Sequence, residues 1–128
     1  MQLVAALANK LSSDAYLRDV PVRVFNDDSE EHEQILIRTS QSYPVEGQAP
    51  LYNAHYSVQV RALTHERAEW ICHRAFKVLQ GFLPDDTNEY VHSQPVPFIN
   101  LGYIADDDQK RPTYGFTALY IVTPRQLI

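Results

Sequence analysis

Segment 64–82, THERAEWICHRAFKVLQGF, carries the residue types best suited to chemistry in this chain. It holds His65, His73 and the only cysteine, Cys72. Histidine nitrogen and cysteine sulfur are the usual zinc ligands, and a cysteine can also be reactive in its own right. The segment is therefore either a metal-binding or reactive site or a structural helix that carries polar residues, and the spacing decides between the two.

The spacing does not suit a metal ion. His65 and Cys72 are seven positions apart, which separates their backbones by about 10 Å along a helix axis, whereas zinc bonds are only about 2.0–2.3 Å long. Cys72 and His73 are adjacent, so their side chains diverge, and the i, i+4 histidine pair of helical zinc sites is absent. His73 instead follows Glu69 by four residues, as in an ordinary surface pair. We predict no metal and no cofactor here.

The same segment has the features of a core-facing helix. Thr64 suits the N-cap, and Glu66 lies in the first turn, where the helix dipole favours a negative charge. Gly81 and Pro84 follow the expected end. Within such a helix Cys72 is a small buried hydrophobe, and burial raises its pKa and makes it unreactive. The apolar positions recur at helical spacing and form one stripe: Ala68, Ile71, Cys72, Ala75, Val78, Leu79 and Phe82.

The remaining motifs indicate no catalytic site. Asp106, Asp107 and Asp108 are consecutive, but a calcium loop of the EF-hand type needs alternating ligands, a central glycine and a distal glutamate. A solvated hairpin turn is the favoured interpretation, and a weak calcium or magnesium contact is the alternative. There is no G-x-S-x-G, no glycine-rich phosphate loop and no C-x-x-C. We therefore predict a protein that is not an enzyme.

Composition limits the class of protein. The 128 residues are 45% hydrophobic and 21% charged, which predicts one globular domain over residues 1–128. The net charge of −5 argues against a general nucleic-acid binder, which would show a basic patch. The apolar N-terminal run has no preceding positive charge and is interrupted by Asn9 and Lys10. It predicts an amphipathic helix rather than a targeting segment or a membrane span.

The order of predicted elements indicates an α+β domain. Two loops separate them, the acidic segment 27–33, predicted to be solvated, and a long proline-containing loop at 41–54. We expect a mostly antiparallel four- to five-stranded β-sheet with two α-helices packed on one face, the strand at 34–40 returning beside the strand at 20–26. The predicted elements are a helix at about 2–12, strands at 20–26, 34–40 and 54–62, the helix within 64–82, an extended segment at 90–104 broken by two prolines, and a strand at 113–123.

Tyrosines offer a second kind of surface. Tyr114 and Tyr120 lie on one face of the last predicted strand, and Tyr56 lies on the same face as Val58 and Val60. A tyrosine gives apolar bulk with a polar tip, which suits both a core and a subunit interface. The sequence leaves these two interpretations open.

Several of these segments together resemble the tail-terminator and minor-capsid proteins, involved in head–tail joining and tail completion, of tailed bacteriophages. The strand YSVQVRA leads directly into the helix, and an extended segment with a charged turn then leads into a closing aromatic strand. The likeness covers most of the chain, although loops 27–33 and 41–54 depart from the pattern. The matching positions are Arg61, Ala68, Leu79, Leu101, Gly102, Asp106, Asp107, Asp108, Arg111, Phe116 and Tyr120.

The resemblance implies a structural virion protein. Such proteins form a ring, commonly a hexamer, that caps the tail tube at its head-proximal end, stops its growth and meets the head connector. The implied partners are further copies of this chain, the tail tube protein and the connector or neck protein, with DNA only passing through the lumen and no membrane contact. Assembly would take place in the bacterial host cytoplasm.

The loops and charged turns are the predicted interface. Five acids of loop 27–33 would repel one another in a ring unless they point outward or into a wide lumen. Another neck, head-completion or minor capsid protein, a non-viral assembly module and a small α+β enzyme built from dispersed residues are the alternatives. The candidate interface residues are Asp27, Asp28, Glu30, Glu31, Tyr43, Tyr52, Asp106, Asp107, Asp108 and Arg111.

Overall fold

Two helices and six strands make up the domain. A computed structural model describes residues 1–45, 51–94 and 99–125, with backbone alone for 41–44 and 99. In chain order the elements are α1 (Leu3–Ser12), β1 (Val22–Val24), β2 (Gln34–Pro44), β3 (Tyr52–Arg61), α2 (His65–Leu79), β4 (Glu89–Ser93), β5 (Ile99–Asp106) and β6 (Pro112–Pro124).

The strands form one open, mixed sheet in the order β1-β2-β3-β6-β4, and β5 also pairs with β6. All pairings are antiparallel except β1 with β2. β3 lies along one edge of β6, while β4 and β5 share the other edge, β4 opposite 121–124 and β5 opposite 112–117. The α+β class is thus confirmed, with six strands rather than four or five. The segment at 90–104 contributes to two strands, β4 and β5, and residues 95–98, at which the prolines were predicted to break it, lie outside the described residues.

Two predictions about the first strands are wrong. Strand β2 does not return beside β1 as a hairpin, because the chain between them doubles back and the two strands pair in parallel. The loop at 41–54 is also shorter than expected, since β2 continues to Pro44 and β3 begins at Tyr52. A register shift between Thr39 and Ser42 interrupts the alternation of side chains and hides the second half of β2 from pattern analysis. Residues 46–50 of that loop lie outside the described residues.

Helix α2 forms as predicted. The Thr64 side-chain oxygen accepts a hydrogen bond from the Arg67 backbone N–H at 3.2 Å, and Gly81, two residues beyond the last helical residue, has a φ of +79°. Five members of the predicted stripe, Cys72 among them, are fully buried, and Val78 and Phe82 are partly buried. Burial, assisted by the nearby Glu69 charge, raises the pKa of the Cys72 thiol to about 12. No helix of the described segments is long and apolar enough to cross a membrane.

The core lies between one face of the sheet and the two helices. Residues that face this layer recur at every second position of β3, of β6 and of the first half of β2, and neither helix of the described residues lies on the opposite face of the sheet. Tyr56, Tyr114 and Tyr120 belong to the core, and the rings of Tyr56 and Tyr120 meet edge to face with centroids 6.1 Å apart. For these three tyrosines the core interpretation is therefore correct and the interface interpretation is wrong. The Gln94 amide donates to the Tyr120 hydroxyl at 3.1 Å, which satisfies that polar tip inside the core.

Shortening Leu79 should cost the domain much of its stability. Leu79 is completely buried at the centre of this layer, so Leu79→Ala should lower the free energy of unfolding by about 2–5 kcal/mol. Chemical denaturation followed by circular dichroism measures the loss. Leu63→Ala is the matched control, because Leu63 is 61% exposed and its truncation should change stability by less than about 0.5 kcal/mol. Equal effects of the two substitutions would contradict this assignment of the core.

Candidate interaction surface

Two features of the surface are candidates for contacts with other molecules. The first is a cluster of charged side chains, Arg61, Arg111, Asp27 and Asp107, at one end of the helix-free face of the sheet; we call it the arginine cluster. The second is the β5 edge patch, which consists of Leu101, Tyr103 and Ile104. Most charged groups of the first are paired with one another or with the backbone, whereas the second is exposed.

Arg61 fastens the acidic loop to the sheet. It is the last residue of β3, and it points to the helix-free face because its neighbour Val60 points to the core. Its side chain is only 8% exposed and donates from Nη1 to Asp27 Oδ2 at 2.7 Å. Its Nη2 donates to the backbone carbonyls of Asp28 and Glu31, both at 2.6 Å. One guanidinium thus holds three points of a loop that is thirty residues or more away in sequence.

Arg111 and Asp107 complete the cluster from the β5–β6 turn. Both the backbone N–H and Nε of Arg111 donate to the Asp107 carboxylate at 2.8 Å, and Nη1 donates to the Glu31 carbonyl at 3.0 Å. Asp107 Oδ2 also lies 3.8 Å from Arg61 Nε, which makes no hydrogen bond within the described part of the chain. Burial opposes ionisation of Asp107, but the hydrogen bonds from Arg111 and Gln109 outweigh it, so the pKa of this carboxyl is lowered.

The acidic loop is exposed as predicted, but several of its carboxylates form ion pairs with arginines of the same chain. Arg23 grips Glu31 with two hydrogen bonds of 2.6 and 2.9 Å, and this contact is the main cause that lowers the pKa of Glu31. Arg67, in the first turn of α2, grips Glu33 in the same way at 2.7 and 3.2 Å. With Asp27 held by Arg61, three of the five acids have an arginine partner. The repulsion expected between such loops in neighbouring copies is correspondingly weaker.

The predicted interface residues therefore fall into two groups. Arg111 is 4% exposed, and with Asp27, Glu31 and Asp107 it is engaged within the chain. Asp28, Glu30, Asp106 and Asp108 are exposed, although Asp106 accepts a hydrogen bond from the Tyr103 hydroxyl at 3.0 Å. Tyr52 is partly buried against the core. The backbone of Tyr43 pairs with Asn53 in the β2–β3 ladder, and its side chain lies outside the described residues.

A cavity of about 150 Å³ opens beside the arginine cluster on the helix-free face. Its wall combines two carboxylates with two guanidinium groups, so it presents no excess charge of either sign to a small ion. Among the described residues, no group of three or more histidine, cysteine or acidic side chains could hold a metal ion. The lining residues are Asp27, Gln34, Leu36, Arg38, Gln59, Arg61, Asp107 and Thr113.

His65 packs against two tyrosines of the sheet. Its Nδ1 lies 3.1 Å from the Tyr114 hydroxyl, and its ring lies 5.3 Å from the centroid of the Tyr103 ring. Tyr103 and Tyr114 are cross-strand neighbours in the β5–β6 ladder. His65 therefore connects the start of α2 to the edge of the sheet.

The β5 edge patch was missed by the sequence analysis. In the described residues β5 pairs only with β6, so its outer edge is open. Leu101, Tyr103 and Ile104 are 37%, 52% and 50% exposed. Ile104 lies on the helix-free face, where its Cδ1 would be 2.8 Å from a Cβ at Gly115. An available signal was the run INLGYI, in which large apolar residues occupy both faces of one strand beside a proline-rich segment.

Comparisons with known proteins add no relative to this description. No family model matches the sequence, and no curated protein matches it either.

Removing the Asp107 charge should weaken the domain and change its response to acid. Asp107→Asn should lower the free energy of unfolding at pH 7 by about 1–3 kcal/mol, because two nearly buried guanidinium groups lose the anion that both of them face. The pKa of Asp107 is lowered in the fold, so its contribution is complete above about pH 5 and is lost as the pH falls below its ordinary value of about 3.9.

Denaturation of both proteins between pH 7 and pH 3 measures this difference. The gap between wild type and Asp107→Asn should narrow toward the acid end. Asp108→Asn is the control, since Asp108 is exposed and forms no ion pair among the described residues, and it should follow the wild type throughout. A gap that stays constant with pH would show that the charge of Asp107 is not what stabilises the cluster.

Proposed function

We propose that this chain is a structural virion protein. It forms a homo-oligomeric ring, a hexamer by resemblance, at the head-proximal end of a phage tail tube. The ring ends tube polymerisation and joins the tail to the head connector. The protein works through surfaces rather than through chemical turnover.

The placement of the residues that carry the resemblance supports this proposal. Arg61 is far in sequence from Asp107 and Arg111, and the fold brings the three into one cluster. Ala68, Leu79, Phe116 and Tyr120 all lie in the core. The matching positions therefore include those that hold this fold together, which is expected if the resemblance reflects a shared architecture.

The open sheet with its apolar edge is the single observation that carries the proposal. Natural edge strands are usually protected by charges, prolines, bulges or a covering element, because an open edge pairs with other chains. Strand β5 has bulges, yet it exposes three large apolar side chains in eight residues. A neighbouring subunit that covers this edge would remove the liability, and ring closure would cover the edge of every copy.

The charge of the chain is compatible with a channel for DNA. Phosphate binding depends on lysine and arginine, and the chain is net negative. Most of its arginines that border the helix-free face are already paired with carboxylates, as Arg61, Arg111 and Arg23 show. Passing DNA would find few free cations to hold it.

The proposal is tested by the state of the protein alone and with tail tubes. Native mass spectrometry and light scattering should show a closed oligomer of one copy number. Negative-stain images should show a ring bound at one end of tubes assembled from the tail tube protein of the same genome. Tubes assembled in its presence should stop growing, while tubes without it continue to elongate.

Two results would change the assignment. A protein that stays monomeric under all conditions and does not bind tube ends would overturn the proposal. A ring that binds a purified head connector but ignores tail tubes would instead favour the head-completion alternative.

A further inference from the structure

Among the described residues, β1 and β5 are edge strands on opposite sides of the sheet, and they lie at the same height along the strands. The register of each ladder connects residues across the whole sheet, and β1 and β5 are the two ends of one row. That row consists of Val22, Ile35, Val60, Tyr114 and Tyr103. A copy placed beside another without a shift along the strands therefore brings β5 of one copy next to β1 of the other.

The strand directions also match. β1 is parallel to β2, and each later step of the row, from β2 to β3, β6 and β5, reverses direction. β1 and β5 consequently run antiparallel within one molecule. Rotation of a copy about an axis along the strands preserves these directions, so β5 would meet the neighbouring β1 in the antiparallel arrangement, which is the more stable pairing.

The side chains at the two edges are complementary at both ends of such a contact. Phe25 directly follows β1 and is 43% exposed. The β1–β2 register ends at Val24 and Ile37, and the next residue of β2, Arg38, lies in one row with Ile99, two residues from the exposed Leu101. At the other end Arg18 precedes β1, and Asp108 follows β5. Both are exposed, and neither has an ion-pair partner among the described residues. Apolar groups thus face apolar groups, and an unpaired cation faces an unpaired anion.

From these matches we propose that the ring closes through β5 of one copy and β1 of the next, as a continuous antiparallel sheet across subunits. This inference depends on the proposed self-association. Bulges limit regular pairing in β5 to a few residues, and β1 is three residues long, so the ladder is short. The packing of the β5 edge patch and Phe25 supplies the rest of the contact.

The asymmetry of the domain decides which face lines the channel. Helices α1 and α2 thicken one side of the sheet, and the thicker layer fits only on the outside of a closed ring. The helix-free face, with uncharged polar residues such as Ser57, Gln59 and Thr117, then faces inward. Six copies of the five-strand row, with strands about 4.8 Å apart, give a circumference of about 140 Å and a diameter of about 46 Å, which admits duplex DNA.

Site-directed cross-linking tests the pairing. Phe25→Cys and Leu101→Cys are made separately and treated with a short bis-maleimide, and the wild type is the control because its own Cys72 is buried. A mixture of the two variants should give a cross-linked dimer, while each variant alone should not. The double variant should give a ladder of products that ends at the copy number of the ring.

A charge exchange is the independent measurement. Arg18→Asp and Asp108→Arg should each weaken self-association several-fold at low salt, and the double variant should restore it. Asp86→Arg, an exposed change in the α2–β4 turn, is the control and should leave association unchanged.

The outcomes separate this inference from the proposed function. Cross-linking of either single variant with itself, or an oligomeric protein whose mixed variants do not cross-link, would overturn the β5–β1 pairing and leave the ring proposal standing. Failure of the double charge variant to recover association would also count against this pairing. A protein that neither associates nor binds tube ends would overturn both proposals.

Discussion

The antiparallel ladder between β3 and β6 is the interaction on which the rest of the structure depends. Ten consecutive residue pairs, from Tyr52 with Val122 to Arg61 with Thr113, join the two strands without a register shift. This unbroken alternation sends Val58, Val60 and Phe116 to the core face, where α1 and α2 cover them. It sends Gln59 and Arg61 to the opposite face. The other strands pair directly or indirectly with β3 or β6, so this ladder fixes their positions, including those of the edge strands β1 and β5.

The arginine cluster is a consequence of where that ladder ends. Arg61 is its last residue on β3, and the end of the sheet is where the acidic loop and the β5–β6 turn converge. Two nearly buried guanidinium groups are costly to desolvate, and they are tolerated because carboxylates and backbone carbonyls surround them. The loop carbonyls of Asp28 and Glu31 gain partners that no strand supplies. Three of the five acids of the loop, Asp27, Glu31 and Glu33, therefore form ion pairs that stabilise the fold, and only the other two remain without an arginine partner among the described residues.

The sequence predicts best the features that depend on near neighbours. The N-cap, the apolar stripe and the end of α2 all follow from residues within a few turns of one another, and the alternation in β3 is equally local. The bulge after Thr39 removes that alternation, which is why the second half of β2 was predicted to be a loop, although the first half was correctly predicted as a strand. The parallel pairing of β1 with β2 depends on how the acidic loop between them is held. Arg61, which binds this loop, is more than thirty residues away from Asp27 and Asp28 in sequence.

The candidate site shows the same limit. Acids in a loop look like a solvated, partner-facing surface, because the sequence does not reveal which arginines will meet them. An edge position is likewise a property of the whole sheet. Leu101, Tyr103 and Ile104 are exposed because no strand within the described ranges pairs with the outer side of β5. The sequence shows that these residues are apolar, but only the topology of the sheet shows that they lie at an exposed edge.

The shape of the domain bears on the closed assembly that we propose. A sheet that adds copies edge to edge grows without limit unless each step also turns. Here the helices occupy one face only, so neighbouring copies that keep their sheets in register must tilt to give the helices room, always in the same sense. The helix layer, which buries Leu79 and Ile71 against the sheet, would thus determine the curvature of the proposed ring. The β5 edge patch would form the contact between neighbouring copies. A flat sheet with helices on both faces would lack that bias toward closure.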